Sequence, residues 1–159
     1  KLWPDMTAVF KVTRNLNLSA GDDIMAFRIG TGSGKAVKII DLYCGGGDNS
    51  PAVNEIGWFW PATLGVTPGG ALTPQGADSL IFNALACTTG VFTSWATPPT
   101  VTDYMARYIF NGYGGQLRIP YRDSEAIWLN DLNGNTRDIS LRAISGSSNA
   151  TVTITFEEY

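Results

Sequence analysis

Hydrophobic and polar residues alternate with period two toward the C-terminus. Over residues 137–159, Ile139, Leu141 and Ala143 interleave with Asp138, Ser140 and Arg142. After Gly146-Ser147-Ser148-Asn149, Val152, Ile154 and Phe156 interleave with Thr151, Thr153 and Thr155. Alternation of this kind gives each strand one apolar and one polar face, and Thr and Val fit pleated backbone because they are stiff at χ1. The segment is expected to be one antiparallel hairpin. A lone hairpin is marginal in water, so its apolar face must lie on another sheet supplied by the rest of the chain.

The same reading marks shorter strands upstream. Ala8, Phe10 and Val12 alternate with Thr7, Val9 and Lys11; Leu16 and Leu18 then share a face, and residues 20–22 form a turn. Residues 23–29 are expected to be extended. Residues 36–44, rich in Val, Ile, Leu and Tyr, predict a central strand. The run Gly45-Gly46-Gly47-Asp48-Asn49-Ser50-Pro51 predicts a loop. Ile56, Trp58 and Trp60 at period two mark a strand in residues 55–64, with Pro61 ending it or holding it at an edge because proline has no N–H for a ladder. Trp58 and Trp60 are expected in the core. Residues 104–113 favour strand over a short helix, with Gly112-Tyr113-Gly114-Gly115 as a hairpin turn after them. Residues 116–119 alternate up to Pro120, residues 126–132 set Ile127 and Leu129 opposite Trp128, and Asn133-Gly134 predicts another hairpin turn.

Residues 65–99 break the pattern. Thr67-Pro68-Gly69-Gly70 and Thr73-Pro74-Gln75-Gly76 frame Leu72, and so many prolines and glycines are not expected to continue a ladder. They predict a long excursion with one helical turn within residues 77–85. A stretch of this length is functional, packed on a partner, or a cover over one open end of the sandwich. Val91, Phe92 and Trp95 point to packing. Together these elements predict an all-β chain: an antiparallel β-sandwich, jelly-roll-like, with long Gly/Pro-rich loops. Residues 1–6 are expected to be an N-terminal arm and residues 7–159 a single β-sandwich domain.

Composition agrees with many short strands and tight loops. The 159 residues are 44% hydrophobic and 16% charged, with 18 glycines; the charged share is below the usual quarter. A chain of this length buries about 70% of the surface it exposes when unfolded. Net charge is −3 with no basic run, so nucleic acid is not an expected partner. No run approaches the ~20 apolar residues of a membrane-spanning helix, so a membrane is not an expected partner either.

The candidate chemistry is mostly negative. There is no histidine, which removes Ser-His-Asp, Cys-His and histidine-based metal sites. Gly30-Thr31-Gly32-Ser33-Gly34-Lys35 resembles a phosphate-binding loop, but the required outer positions hold Ile29 and Ala36, so a hairpin loop is expected. Asp131, Asn133 and Asn135 resemble a calcium loop, but Gly134 falls where a ligand-spacing residue should stand and no bidentate Glu follows, so a turn into the terminal hairpin is expected. Asp22-Asp23 and Glu157-Glu158 are adjacent in sequence, point to opposite faces of a strand, and are expected to be solvated surface charge. Glycosidase chemistry needs two carboxylates across a cleft, which Glu55, Asp103, Asp123 and Glu125 would supply only by coincidence. Cys44 and Cys87 have no metal-ligand spacing and are expected to be buried free thiols, with a disulfide or an exposed thiol left open. No catalytic, cofactor or metal site is expected, and no enzyme activity. The five tryptophans and six tyrosines suit a core, an interface or a sugar-stacking surface. Trp3, Trp95 and Tyr113 are the candidate interface residues.

In this order of elements the sequence resembles a class of small structural proteins of tailed bacteriophage virions. The likeness rests on the opening strand at residues 8–12, the Val37-Lys38-Ile39 segment, the loop Thr67-Pro68-Gly69-Gly70-Ala71-Leu72-Thr73-Pro74 and the closing Val152-Thr153-Ile154-Thr155-Phe156-Glu157-Glu158. The glycine-rich loop at residues 45–48 and the N-terminal arm depart from it. The resemblance implies a β-sandwich that sits in the virion as a capsid cement or decoration subunit stabilising the phage head. It also implies a homo-oligomer, expected to be a trimer, with the major capsid protein or other virion proteins as partners and no catalytic residues. The alternative is a receptor- or carbohydrate-binding β-sandwich of a tail fibre, spike or lectin-like module.

Overall fold

A computed structural model describes residues 7–30, 32–61, 66–77, 87–130 and 138–159. Among these the chain forms twelve strands and no helix. In chain order they are β1 (Ala8–Asn17), β2 (Asp23–Arg28), β3 (Ala36–Gly46), β4 (Val53–Phe59), β5 (Val66–Leu72), β6 (Gln75–Gly76), β7 (Gly90–Thr97), β8 (Ala106–Asn111), β9 (Gln116–Pro120), β10 (Ile127–Asn130), β11 (Asp138–Ser145) and β12 (Asn149–Glu158). The helical turn expected within residues 77–85 and the Asn133-Gly134 turn lie outside the described residues, apart from Ala77.

The strands pair antiparallel in two sheets. The first runs β6-β1-β12-β3, and beyond β3 come β9 and β10, end to end: β10 pairs with Ala36–Ile39 and β9 with Asp41–Gly45. The second runs β5-β7-β2-β11-β4-β8. Without β5, β6 and β7, the sheets read β1-β12-β3-β9/β10 and β2-β11-β4-β8, and the chain changes sheet at every connection except β4 to β8 and β9 to β10. That nesting is the double Greek key of a jelly roll. The extra three strands belong to one insertion between β4 and β8, and they lengthen both sheets on the same side.

The C-terminal segment is therefore not a hairpin. β11 pairs with β2 and β4, while β12 pairs with β1 and β3. Both strands alternate as expected, but the chain crosses from one sheet to the other at Gly146, whose φ of 150° suits glycine alone. A Cβ there would also meet Asn54 Oδ1 at 2.6 Å. The apolar faces of β11 and β12 consequently oppose each other across the core. The hairpin turns expected at residues 30–35 and 112–115 are likewise not found, since β2 and β3 belong to different sheets, as do β8 and β9.

The core lies between the inner faces. Phe10, Val12, Val37, Ile39, Leu42, Cys44, Val152, Ile154 and Phe156 of the first sheet meet Met25, Phe27, Ile56, Trp58, Phe110, Ile139 and Leu141 of the second, all buried. Trp60 packs partly buried against this cluster.

Residues 65–99 depart from expectation in two ways. Val66–Leu72 does continue a ladder, pairing with β7, and Pro68 is accommodated because β5 is an edge strand. The limb returning from β7 then folds over the outer face of the second sheet, not over an open end. Trp95 Nε1 donates to Ser140 Oγ at 3.0 Å, Pro99 O accepts from Arg142 Nη1, and the Tyr104 ring packs edge-on to Phe59 at 5.9 Å. The polar face of β11 is thereby buried, not wet.

Burial of that face changes the expected role of several charges. Asp23 is buried and accepts from Arg142 Nε at 2.8 Å, with Arg142 stacked over the Phe59 ring. Arg28 makes a two-pronged contact with the buried Asp138 (2.8 and 2.6 Å), which raises the Arg28 pKa, chiefly through the hydrogen bond. Glu158 is buried as well, its Oε2 accepting from Thr88 N, Thr89 N and Thr89 Oγ1 and so fixing the chain as it enters β7. Asp23 and Glu158 thus hold internal backbone and side chains together, contrary to the surface role expected of both carboxylate pairs.

The run Gly45-Gly46 belongs to β3 and not to the loop expected there. A Cβ on Gly46 would lie 2.3 Å from Gly112 O, because the β8–β9 crossing passes over this strand end. Gly46 N donates to Gly115 O and Asp48 N to Gly112 O across the same contact. Cys44 is buried and Cys87 half-buried, both as free thiols. Burial pushes the Cys44 pKa up to about 12 and the Cys87 pKa to about 11, with the nearby Glu158 carboxylate adding to the latter.

Candidate functional site

The three aromatic residues expected at an interface have different fates. Trp3 lies outside the described residues. Trp95 is 4% exposed, its indole held by Ser140 and stacked under Arg28 at 4.8 Å, so it is an internal residue and cannot anchor a partner. Tyr113 is 57% exposed in the β8–β9 crossing, where its N–H donates to Asn111 Oδ1.

Two surfaces stand out instead. The first follows β8, the free edge of the second sheet. Outward positions along β4 and β8 include Val53 at 70% and Ile109 at 65% exposure, and they are diagonal neighbours because Glu55 pairs with Ile109 and Val53 with Asn111. Met105 is also exposed just before β8. The only salt bridge among the described residues on this strip is Arg107–Glu55 at 2.8 Å. Around the edge, where the sandwich opens between β8 and β9, lies a cleft of about 270 Å³ lined by Met105, Tyr108, Ile119, Pro120, Tyr121 and Ile127, among others. At its floor the Tyr121 hydroxyl accepts from Trp58 Nε1 at 2.9 Å and shares a 3.0 Å hydrogen bond with Tyr108. Burial, reinforced by Tyr108, raises the Tyr121 pKa, so its phenol stays neutral.

The second surface is the outer face of the first sheet. The pairing register sets its side chains in rows: Val9, Glu157, Lys38 and Trp128; then Lys11, Thr155, Asp41 and Pro120; then Thr13, Thr153, Tyr43 and Arg118; then Asn15, Thr151, Gly45 and Gln116. A bulge at Ile40, opposite the Thr155/Phe156 step, separates the first two rows. Seven residues of the lower three rows line an open depression of about 600 Å³. The polar groups are already ordered by one another: Thr13 and Thr153 share a 2.9 Å hydrogen bond, Thr151 donates to Asn15 at 2.7 Å, and Arg118 Nε donates to Asp41 at 3.0 Å. At the other end Lys38 pairs with Asp123 and Glu157 and lies 5.4 Å from the Trp128 ring, which packs at 5.3 Å on Tyr159.

Sequence reading found the threonine row of β12 as a polar face but missed Tyr43, Asp41, Arg118 and Lys11 as its neighbours. Register between strands far apart in sequence brings them together. The one local signal is the pair Tyr43 and Gly45, two apart on a strand, an aromatic ring placed to cover a glycine.

No group of three or more metal-ligating side chains occurs among the described residues. No protein-family model matches this chain, and no curated protein matches it. Among solved structures, the chain is similar to the structure of infectious bursal disease virus, Gx strain, at TM-score 0.20 and 12% identity, over 96% of this chain and 42% of that one. It is also similar to T=1 particles derived from infectious bursal virus, at TM-score 0.17 and 12% identity, over 97% of this chain and 40% of that one. The chain thus spans about two fifths of the length of the structures it matches, and overlaps this weak establish neither a family nor a fold.

Proposed function

We propose that this protein is a structural subunit of a virion, of the cement or decoration type on a phage head, acting as an oligomer and without enzymatic activity. The observation that carries the reading is the jelly-roll nesting of β1-β12-β3-β9/β10 against β2-β11-β4-β8, an architecture that recurs in viral capsid and lectin domains. That support is an analogy at the level of the fold. The exposed strip of Val53, Ile109 and Met105 along the free β8 edge supplies a contact surface for a neighbouring subunit. A net charge of −3 suits the outside of a shell better than its genome side. Trimer formation and contact with the major capsid protein are part of the same proposal.

Mass spectrometry of purified virions tests it: the protein is expected in many copies per particle, and particles lacking it are expected to open at lower temperature. The variant Val53→Asp/Ile109→Asp changes exposed side chains only, so it should keep its melting temperature, lose self-association in sedimentation velocity and fail to bind undecorated heads. Absence of the protein from virions overturns the reading.

A further inference from the structure

We propose that the outer face of the first sheet is a binding site for a neutral oligosaccharide, laid along β3 with Tyr43 and Trp128 as its two stacking platforms. The inference does not rest on the virion reading, because this face belongs to the sheet opposite the β8 strip.

Tyr43 is the centre of the site. Its neighbour on the same face is Gly45, and a Cβ placed there would lie 3.0 Å from the Tyr43 hydroxyl and 3.5 Å from two of its ring carbons. The ring therefore leans along the strand, its hydroxyl end over the space the glycine leaves, and it lines the 600 Å³ depression. A half-buried phenol ring seated in this way offers apolar surface with little entropy left to lose, which suits the C–H face of a pyranose. Around it stand groups that hydroxyls can exchange with: the Gln116 amide, the Thr153 and Thr155 hydroxyls, Lys11 and the Arg118–Asp41 pair. Each offers a donor or acceptor already oriented by the sheet.

Trp128, 41% exposed, provides the second platform through the part of its ring that Tyr159 and Lys38 leave open. It sits two rows from Tyr43 along the strands and one strand away, about 14 Å measured across the sheet, so the two rings can be bridged only by a ligand several sugar units long.

Other ligand classes fit less well. A peptide adding to a sheet needs a free edge, and Tyr43 lies on β3, which is paired on both sides. Of the cations on the face, Lys38 and Arg118 are matched by carboxylates and Lys11 alone stands outside a salt bridge among the described residues, and one such charge is a poor footprint for nucleic acid or for a strongly acidic glycan. Hydrolysis is not part of the proposal, because Asp41, the carboxylate lining the depression, is engaged by Arg118.

The test is titration of ¹⁵N-labelled protein with cellohexaose, maltohexaose, xylohexaose, mannohexaose and chitohexaose, each to millimolar concentration, together with an array of neutral and acidic glycans. At least one neutral hexasaccharide is expected to shift amide signals of β3, β9 and β12. Tyr43→Ala should weaken that binding about tenfold and Gln116→Ala should weaken it less, the melting temperature staying unchanged in Gln116→Ala and the amide signals of the second sheet staying in place in Tyr43→Ala. Trp128→Ala should weaken the hexasaccharide but leave the corresponding disaccharide unaffected. Tyr113→Ala, on the β8–β9 crossing, should change nothing. The proposal fails if none of these glycans binds, if only acidic glycans bind, or if binding survives Tyr43→Ala intact.

Discussion

Phe27 of one sheet meets Phe156 of the other edge-on, with ring centroids 5.4 Å apart at 81°. Each ring then continues into its own sheet: Phe27 lies 6.3 Å from Trp58, and Phe156 lies 5.7 Å from Phe10. These contacts join the two layers at their centre, where all but Phe10 are fully buried.

Phe156→Ala should therefore cost about 3–5 kcal/mol, the range for removing a buried aromatic ring, and Phe27→Ala a similar amount. The double variant should lose less than the sum of the two, by about 0.5–1.5 kcal/mol. Urea unfolding followed by tryptophan fluorescence measures all three. Strict additivity would mean that the two rings do not support each other.

The buried Asp23–Arg142 pair should be sensitive to removal of one partner. Arg142→Met leaves the Asp23 carboxylate under the returning limb without its cation, at a cost of about 3–5 kcal/mol. Asp23→Leu/Arg142→Met together should recover most of that loss, since two apolar side chains leave no charge to solvate. Thermal melts of the single and double variants decide it.

Alkaline pH should loosen the protein through Cys44. Burial raises its pKa from an ordinary 9.0 to about 12, so the folded state holds a proton that the unfolded chain releases above about pH 9. The stabilisation is complete below pH 9 and is lost as pH rises toward 12, with Cys44 contributing about 1.4 kcal/mol per pH unit over that window. Cys44→Ala should lower stability at pH 7 but flatten the alkaline slope in urea titrations. In the native protein at pH 8, Cys44 should react with a thiol reagent only on unfolding.

Gly46→Ala should destabilise by about 1–3 kcal/mol, because its Cβ would run into backbone carbonyls at Gly112 and Asn111, at 2.3 and 2.5 Å, which cannot give way as a side-chain tip would. Gly47→Ala, whose Cβ would meet its nearest neighbour at an ordinary 3.5 Å, is the control. Comparable melting temperatures for the two variants would contradict the packing described for the β8–β9 crossing.

The sequence alone determined where most strands lie and which side chains point inward. Period-two alternation is a local property of extended backbone, so Ile139, Leu141 and Ala143, or Val152, Ile154 and Phe156, declare a face whatever the strand later pairs with.

Only the tertiary structure decided which sheet each strand joins. β11 and β12 adjoin in sequence, yet β12 pairs with β1, matching Ala8 to Glu158 and Asn17 to Asn149. Alternation says nothing about partners, because a hairpin and a crossing between sheets expose the same faces; the difference lies in backbone hydrogen bonds made to segments far away in sequence, such as β4 and β2 for β11 and β1 and β3 for β12. The same non-local choice buried the polar face of β11, since Asp138, Ser140 and Arg142 look wet until Trp95, Pro99 and Tyr104 return over them. It also built the outer face around Tyr43, whose neighbours Lys11, Thr153 and Arg118 come from three distant strands and meet only because their ladders are in register.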